Sequence, residues 1–204
     1  MSTDISPSRR HLIVGAGLGA AALAVGAVPV LSGVAHAQED SNLSGEDLAL
    51  TLFHRSIELA FVAIYDEAID TALLDDEQTA QASAFRTHHN EHAASATAMA
   101  GVAIGPNQAL LSDFTRQVRA ASTVDALFDV LFELESRATA TYLQACGTYE
   151  LPRAANLAGA ILSVEAQHAT VIGQAASLPV AEWIPPFESV VGAFTPAEFP
   201  IPAP

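Results

Sequence analysis

Lysine is absent from these 204 residues and basic charge is scarce: eight arginines face 23 acidic residues, for a net charge of −15. A polyanionic surface repels nucleic acid and anionic lipid and attracts cations, which argues against a nucleic-acid partner and for metal ions. The missing lysine carries no functional reading of its own. Cysteine occurs once, at Cys146, so an internal disulfide is excluded and thiol usage says little about compartment. Four residues after Tyr142 on a helical segment, Cys146 reads as a small buried filler rather than a ligand. No segment carries a convincing strand pattern. Hydrophobic residues make up 50% of the chain and charged residues 15%, enough to bury a core in one domain with appendages.

The N-terminus departs from the acidic composition. Ser8-Arg9-Arg10-His11-Leu12-Ile13 reads as a twin-arginine pair, a Gly/Ala-rich apolar stretch runs from Leu12 to Val34, and Ala35-His36-Ala37 offers a small-x-small cleavage site. The pattern predicts a removed export signal over residues 1–37. The competing reading is an uncleaved membrane anchor, since the stretch is just long enough to span a bilayer. Low hydrophobicity, Pro29 and the cleavage tripeptide favour removal, which places the mature protein in the periplasm or outside the cell with no stable membrane insertion. The twin-arginine route carries proteins already folded, which suits a metal loaded in the cytoplasm.

After a polar linker over 38–43, four long helical segments fill 44–178. Ser44 with Asp47 resembles a capping box for the first, whose apolar positions Leu48, Leu52, Leu59 and Val62 extend to about Leu74. Asp75 with Gln78 caps the second, which ends at Gly101. Thr123 caps the third, which runs toward Gly147, and Pro152 suits the first turn of the fourth, which reaches about Ala176. Short turns make each consecutive pair an antiparallel hairpin. The connection from Val102 to Ser122, with a short helix around Leu110 to Arg119, is long enough to travel the length of a bundle. The expected fold is therefore all-α, a four-helix bundle of two hairpins joined by a long crossover. Residues 179–204 hold seven of the eleven prolines with Trp183, Phe187, Phe194 and Phe199. They predict an extended strap, not a fifth helix, packed on the bundle or on a neighbouring subunit of a homo-oligomer.

One chemical pattern is written twice. Glu58 is followed seven residues on by Tyr65 and later by His92; Glu135 is followed at the same interval by Tyr142 and later by His168. The Glu-to-His separations are 34 and 33 residues, so each hairpin offers a carboxylate from one helix and an imidazole from the next. Glu165 and His168 share a helical face, as do His89 and His92, and His54 lies one turn before Glu58. A lone Glu-x-x-His is more often a solvated pair, and Tyr65 and Tyr142 alone are ordinary core aromatics. Three glutamates set among apolar neighbours, Glu58, Glu135 and Glu165, are costly unless paired or metal-bound. The duplication at matched spacing makes a metal site the leading reading.

These residues resemble the ferritin-like superfamily, in particular the secreted ferritin-like domain proteins that include desiccation-related proteins. The resemblance covers about Leu48 to Ala176. It rests on Ser56-Ile-Glu-Leu-Ala-Phe, Asn90-Glu-His-Ala, Leu134-Glu-Ser-Arg-Ala-Thr-Ala-Thr-Tyr and, most specifically, Ile161-Leu-Ser-Val-Glu-Ala-Gln-His-Ala. It implies that Glu58 and His92 serve one ion, Glu135 and His168 another, and that Glu165 bridges them. Where the family pattern has a second bridging glutamate, this chain has His89. The resulting set of three carboxylates and three histidines favours divalent ions and implies two ions, or one with the second position weakened. Glu91 compensates only if the second helix is rotated, since it lies about 100° from His92.

Three functional classes follow. One is a redox enzyme, a di-metal peroxidase, catalase or ferroxidase type in which Fe or Mn meets peroxide or oxygen and Tyr65 and Tyr142 act beside the ligands. Another is a metal-sequestering protein without turnover. The last is a structural, stress-protective bundle. The leading expectation is detoxification of peroxide or iron outside the cytoplasm, and iron and manganese share these ligand types.

Overall fold

In the computed structural model, residues 43, 45–183 and 189–202 are described. The expected signal over 1–37, nearly all of the linker and Ser44 with its capping box lie outside the described residues. Among those described there are six helices: α1 Gly45–Asp70, α2 Asp76–Ala100, α3 Gln108–Ala120, α4 Val124–Thr148, α5 Pro152–Ala175 and α6 Val180–Trp183. No strand occurs among them. α1 pairs with α2 and α4 with α5, the two expected hairpins, and α3 lies within the crossover against α1.

Local chemistry sets the helix ends. Asp75 and Gln78 close a reciprocal capping box at the start of α2, and Gly101 ends that helix with φ of 66°, a left-handed conformation that glycine adopts without a Cβ penalty. Thr123 caps α4 by accepting from Ala126 N. Pro152 occupies the first turn of α5, where its missing N–H is not needed. Leu151 at the cap has no side chain to offer, and Asp47 of α1 supplies the acceptor instead: its carboxylate takes the N–H groups of Glu150 and Leu151 at 3.0 and 2.9 Å. An anion at this end also suits the helix dipole.

The buried stripes explain how the helices assemble. α2 buries Ala82, Phe85, His89, Ala93 and Ala96, a run of three- and four-residue steps that keeps one face inward. α5 buries Ala154, Ala158, Ile161, Glu165, His168 and Ile172 on the same rhythm. Alanine makes up three of the five in α2 and the first two in α5, leaving room for large side chains from α1 and α4. One apolar cluster gathers Phe53, Ile57, Phe61 and Ile64 of α1 with Leu127, Leu131 and Leu134 of α4 and Leu110, Phe114 and Val118 of α3. Each such side chain contributes roughly 1.5–3 kcal/mol when fully buried. A smaller cluster of Tyr142, Ala145, Ala158 and Ile161 closes the other side.

Asn107 ties the crossover in place. Its N–H donates to Ser56 O at 2.8 Å, its Oδ1 accepts from Leu110 N to cap α3, and its Nδ2 donates to the carbonyls of Phe199 and Pro200. The tail is thereby packed on its own bundle, one of the two expected placements. Phe194 and Phe199 are buried, Phe194 N donates to Thr141 Oγ1, and the Arg137 guanidinium sits 4.2 Å from the Phe194 ring centre. The expectation of a wholly extended tail is corrected at its start, where Val180–Trp183 makes one helical turn. Trp183 is held by its Nε1 on Leu178 O and by contact with Gly173, where an added Cβ would lie 2.4 Å from the Trp183 Cβ.

Candidate metal centre

Between the two apolar clusters lies a layer of buried polar groups contributed by all four long helices. Glu58, His89, Glu135 and Glu165 are fully buried, His168 nearly so, and the His92 side chain is 12% exposed. The six candidate ligands named from the sequence are thus brought to one place. Their potential ligand atoms form two groups, Glu58–His89–His92–Glu165 and His89–Glu135–Glu165–His168, within each of which every atom lies within 4.8 Å of the others. His89 and Glu165 belong to both.

His89 occupies the middle. Its Nδ1 lies 2.9 Å from Glu58 Oε2 and 3.7 Å from Glu165 Oε1, while its Nε2 lies 3.1 Å from Glu135 Oε1. The imidazole at the position expected to weaken one half of the site therefore faces both halves. Glu91 is exposed, so α2 is not rotated to replace it.

The tyrosines exchange partners across the hairpins. Tyr65 of α1 donates to Glu135 of α4, and Tyr142 of α4 donates to Glu58 of α1. The repeat shows in sequence as Glu followed by Tyr within one helix, yet each hydroxyl serves the other copy's carboxylate. Helical periodicity assigns a face but not the neighbour that the face meets.

Glu165 differs from the other two acids. Neither of its buried oxygens has a hydrogen-bond partner, and the same is true of His92 Nδ1. Three imidazoles nevertheless ring it: His92 Nδ1 at 2.9 Å from Oε1, His89 Nδ1 at 3.7 Å, and His168 Nδ1 at 3.6 Å from Oε2. These atoms are close but not aligned as donors and acceptors. Nitrogens and oxygens that converge on common space, with the Glu165 oxygens making no aligned hydrogen bond, are a donor set that fits a cation.

Charge is redistributed accordingly. Burial pushes the Glu58 carboxyl up, but His92 and His89 outweigh it and bring it down to about 2. Burial works against charge on His92 too, yet Glu58 and Glu165 push it up to about 9. His89 is held well above its usual range against burial by Glu165, Glu135 and Glu58, and Glu135 well below its own by His89 and His168. Burial, followed by the adjoining carboxylates, keeps the Tyr65 and Tyr142 hydroxyls protonated.

Two histidines lie beside the cluster. His54, expected on or next to the site-facing stripe, sits one turn away: its Nδ1 lies 2.9 Å from the Tyr149 hydroxyl, which is 3.1 Å from Thr51 Oγ1. These three residues and Tyr142 line a small cavity with Ala96, Leu157 and Ile161. Burial brings His54 down to about 4. His88, which fits the stripe poorly in sequence, places Nδ1 2.9 Å from His168 Nε2. Neither Tyr149 nor His88 belongs to the duplicated pattern, and nothing in the spacing marks them. Cys146 is partly buried beside the smaller apolar cluster, close to its expected role.

Residues 42–178 match the sequence model of the ferritin-like domain. The chain belongs to that family. No curated protein and no solved structure is matched.

Proposed function

We propose that this member of the ferritin-like domain family is an exported metalloprotein that holds iron or manganese between its hairpins and removes peroxide or excess iron outside the cytoplasm. Glu165 carries the metal reading. A fully buried carboxylate whose two oxygens meet three imidazoles without one aligned hydrogen bond is incompletely satisfied, and a divalent cation is the partner that its ring of nitrogens would accompany. Glu58, His92 and Glu165 would hold one ion and Glu135, His168 and Glu165 the other, with His89 in reach of both. Three carboxylates against two divalent ions leave one positive charge, which suits divalent metal with hydroxide or water. The segment Ile161 to Ala169 supports the secreted, desiccation-related branch of the family, and the Arg9-Arg10 pair supports the twin-arginine route.

A bound pair of such ions would supply adjacent redox centres able to exchange two electrons with peroxide or oxygen. The chain's own residues prepare for that charge. Tyr65 and Tyr142 fix one oxygen of Glu135 and of Glu58. The apolar clusters on either side limit water, and the cluster's histidines give up their protons as metal arrives.

A second reading, sequestration without turnover, is favoured by the full burial of Glu58, His89, Glu135 and Glu165, which leaves little room for a substrate beside the ions. Elemental analysis of the unchelated protein, followed by a peroxide-consumption assay with Glu165→Ala as control, separates the readings. Two Fe or Mn per chain with Glu165-dependent peroxide loss is expected. Metal without turnover selects sequestration, and absence of transition metal overturns both.

A further inference from the structure

His168 presents its two nitrogens to different surroundings. Nδ1 faces Glu135 Oε2 at 3.4 Å and Glu165 Oε2 at 3.6 Å, inside the cluster. Nε2 points away, to His88 Nδ1 at 2.9 Å. The Phe85 ring stacks on His168 with centroids 4.1 Å apart and planes 27° from parallel, and the His88 and His168 rings are within 12° of parallel. α2 thus grips the α5 imidazole on its face and at its edge.

An imidazole that gives Nδ1 to a metal ion carries its remaining proton on Nε2, and a ring nitrogen this deeply buried needs an acceptor for that proton. We infer that His88 is the positioning residue for His168: by accepting from Nε2–H it turns Nδ1 toward the Glu135–Glu165 half of the cluster. Among the described contacts no hydrogen bond joins His88 to any of the three glutamates, so its hydrogen-bonded route into the cluster runs through His168. No comparable grip exists on the other side among the described contacts. His92 meets only the edge of the His89 ring, 86° from parallel at 6.0 Å, and its side chain is 12% exposed. The partner that orients a metal-bound histidine is commonly a carboxylate, a backbone carbonyl or water; here it is a second imidazole, one that sits partly open to solvent.

This inference rests on the metal reading above, and cobalt(II) titration of the full mature chain tests the two separately. Affinity is followed by visible absorption and checked by elemental analysis, for the wild type, His88→Ala and His88→Asn. Asparagine keeps an acceptor near the position of Nδ1, and alanine does not. His88→Ala is expected to weaken one cobalt-binding step about tenfold while leaving the other unchanged, and His88→Asn to restore most of the loss. In the metal-free wild type, a scalar coupling between the ¹⁵N nuclei of His88 Nδ1 and His168 Nε2 should report the hydrogen bond directly. The melting temperature of each metal-free variant shows whether it is folded. A wild type that binds cobalt alongside a folded His88→Ala that binds it equally well overturns the role of His88 and leaves the metal reading intact. So does a His88→Asn variant no better than alanine. A wild type that binds no cobalt overturns the metal reading, and this inference with it.

Discussion

The Glu58–His92 half of the buried cluster and the Glu135–His168 half are written with the same residues and held by different means. In the second half, His168 is stacked on Phe85, bonded to His88 and 2% exposed at its side chain. In the first, His92 has a side chain 12% exposed and an Nδ1 that lies 2.9 Å from Glu165 without a proper hydrogen bond. The second half is preorganised and the first is adaptable. Rigid ligands cost less entropy to order around an ion, so the Glu135–His168 position should fill first and the Glu58–His92 position should exchange more readily.

The largest way to break this contrast is to remove the carboxylate both halves share. Glu165→Ala should weaken binding at both positions at least about tenfold, read as metal retained per chain at limiting metal by elemental analysis. A variant that holds two ions as tightly as the wild type would show that Glu165 is not a ligand. Next comes the centre of asymmetry. His89→Glu places a fourth carboxylate where an imidazole now faces three, removing a partner from three buried pairs. It should destabilise the metal-free protein by about 3–5 kcal/mol and make folding depend on metal, as urea denaturation with and without manganese would show. An unchanged metal-free stability would mean that His89 does not offset the acids.

Titration probes the same balance. In the metal-free protein His92 is pushed up from 6.5 to about 9, so its contribution is complete below 6.5 and lost as pH rises through about 9. Glu58 is brought from 4.5 to about 2, so its contribution is complete above 4.5 and lost as pH falls through about 2. His54 works the other way: brought from 6.5 to about 4 by burial, it is protonated more readily in the unfolded chain, and stability falls as pH drops from 6.5 through about 4. The metal-free melting temperature should therefore peak near pH 6.5, and cobalt affinity of the His92 side should rise with pH toward about 9, because the ion must displace a proton. A melting temperature that climbs steadily to pH 9 would remove His92 from the charged network. The smallest effect separates the halves by their tyrosines. Tyr142→Phe and Tyr65→Phe each remove one hydroxyl from a carboxylate and should cost about 1.5–3 kcal/mol, with Tyr142→Phe weakening the Glu58 side and Tyr65→Phe the Glu135 side. The reverse assignment would mean that the exchange between hairpins does not hold in solution.

Much of the bundle was legible because helix signals are local. The Asp75–Gln78 box, the Thr123 cap, Gly101 and Pro152 each act within a few residues of the boundary they set. α1 ends at Asp70, several residues before the expected Leu74, since apolar periodicity continues into the turn where Leu73 and Leu74 pack on the core from outside a helix. The convergence of Glu58, His89, His92, Glu135, Glu165 and His168 was legible for a related reason: a stripe repeated at fixed spacing in two hairpins must meet itself across the bundle. Contacts chosen by neighbours distant in sequence were not legible. Asp47 looks like part of its own helix cap and serves Leu151 a hundred residues on, and His88 looks like a misfit until His168 is beside it.

The exchange of tyrosines has a meaning beyond the site. When residue i of one unit meets residue j of another and j of the first meets i of the second, the relation is that of two identical partners about a twofold axis. Tyr65 with Glu135 and Tyr142 with Glu58 reproduce that relation inside one polypeptide. Each hairpin behaves as one protomer of an internal dimer, and the crossover behaves as its linker. Glu165 and His89 then mark the two equivalent posts at which the protomers have ceased to be copies: a chain can differentiate positions that a true homodimer must keep the same.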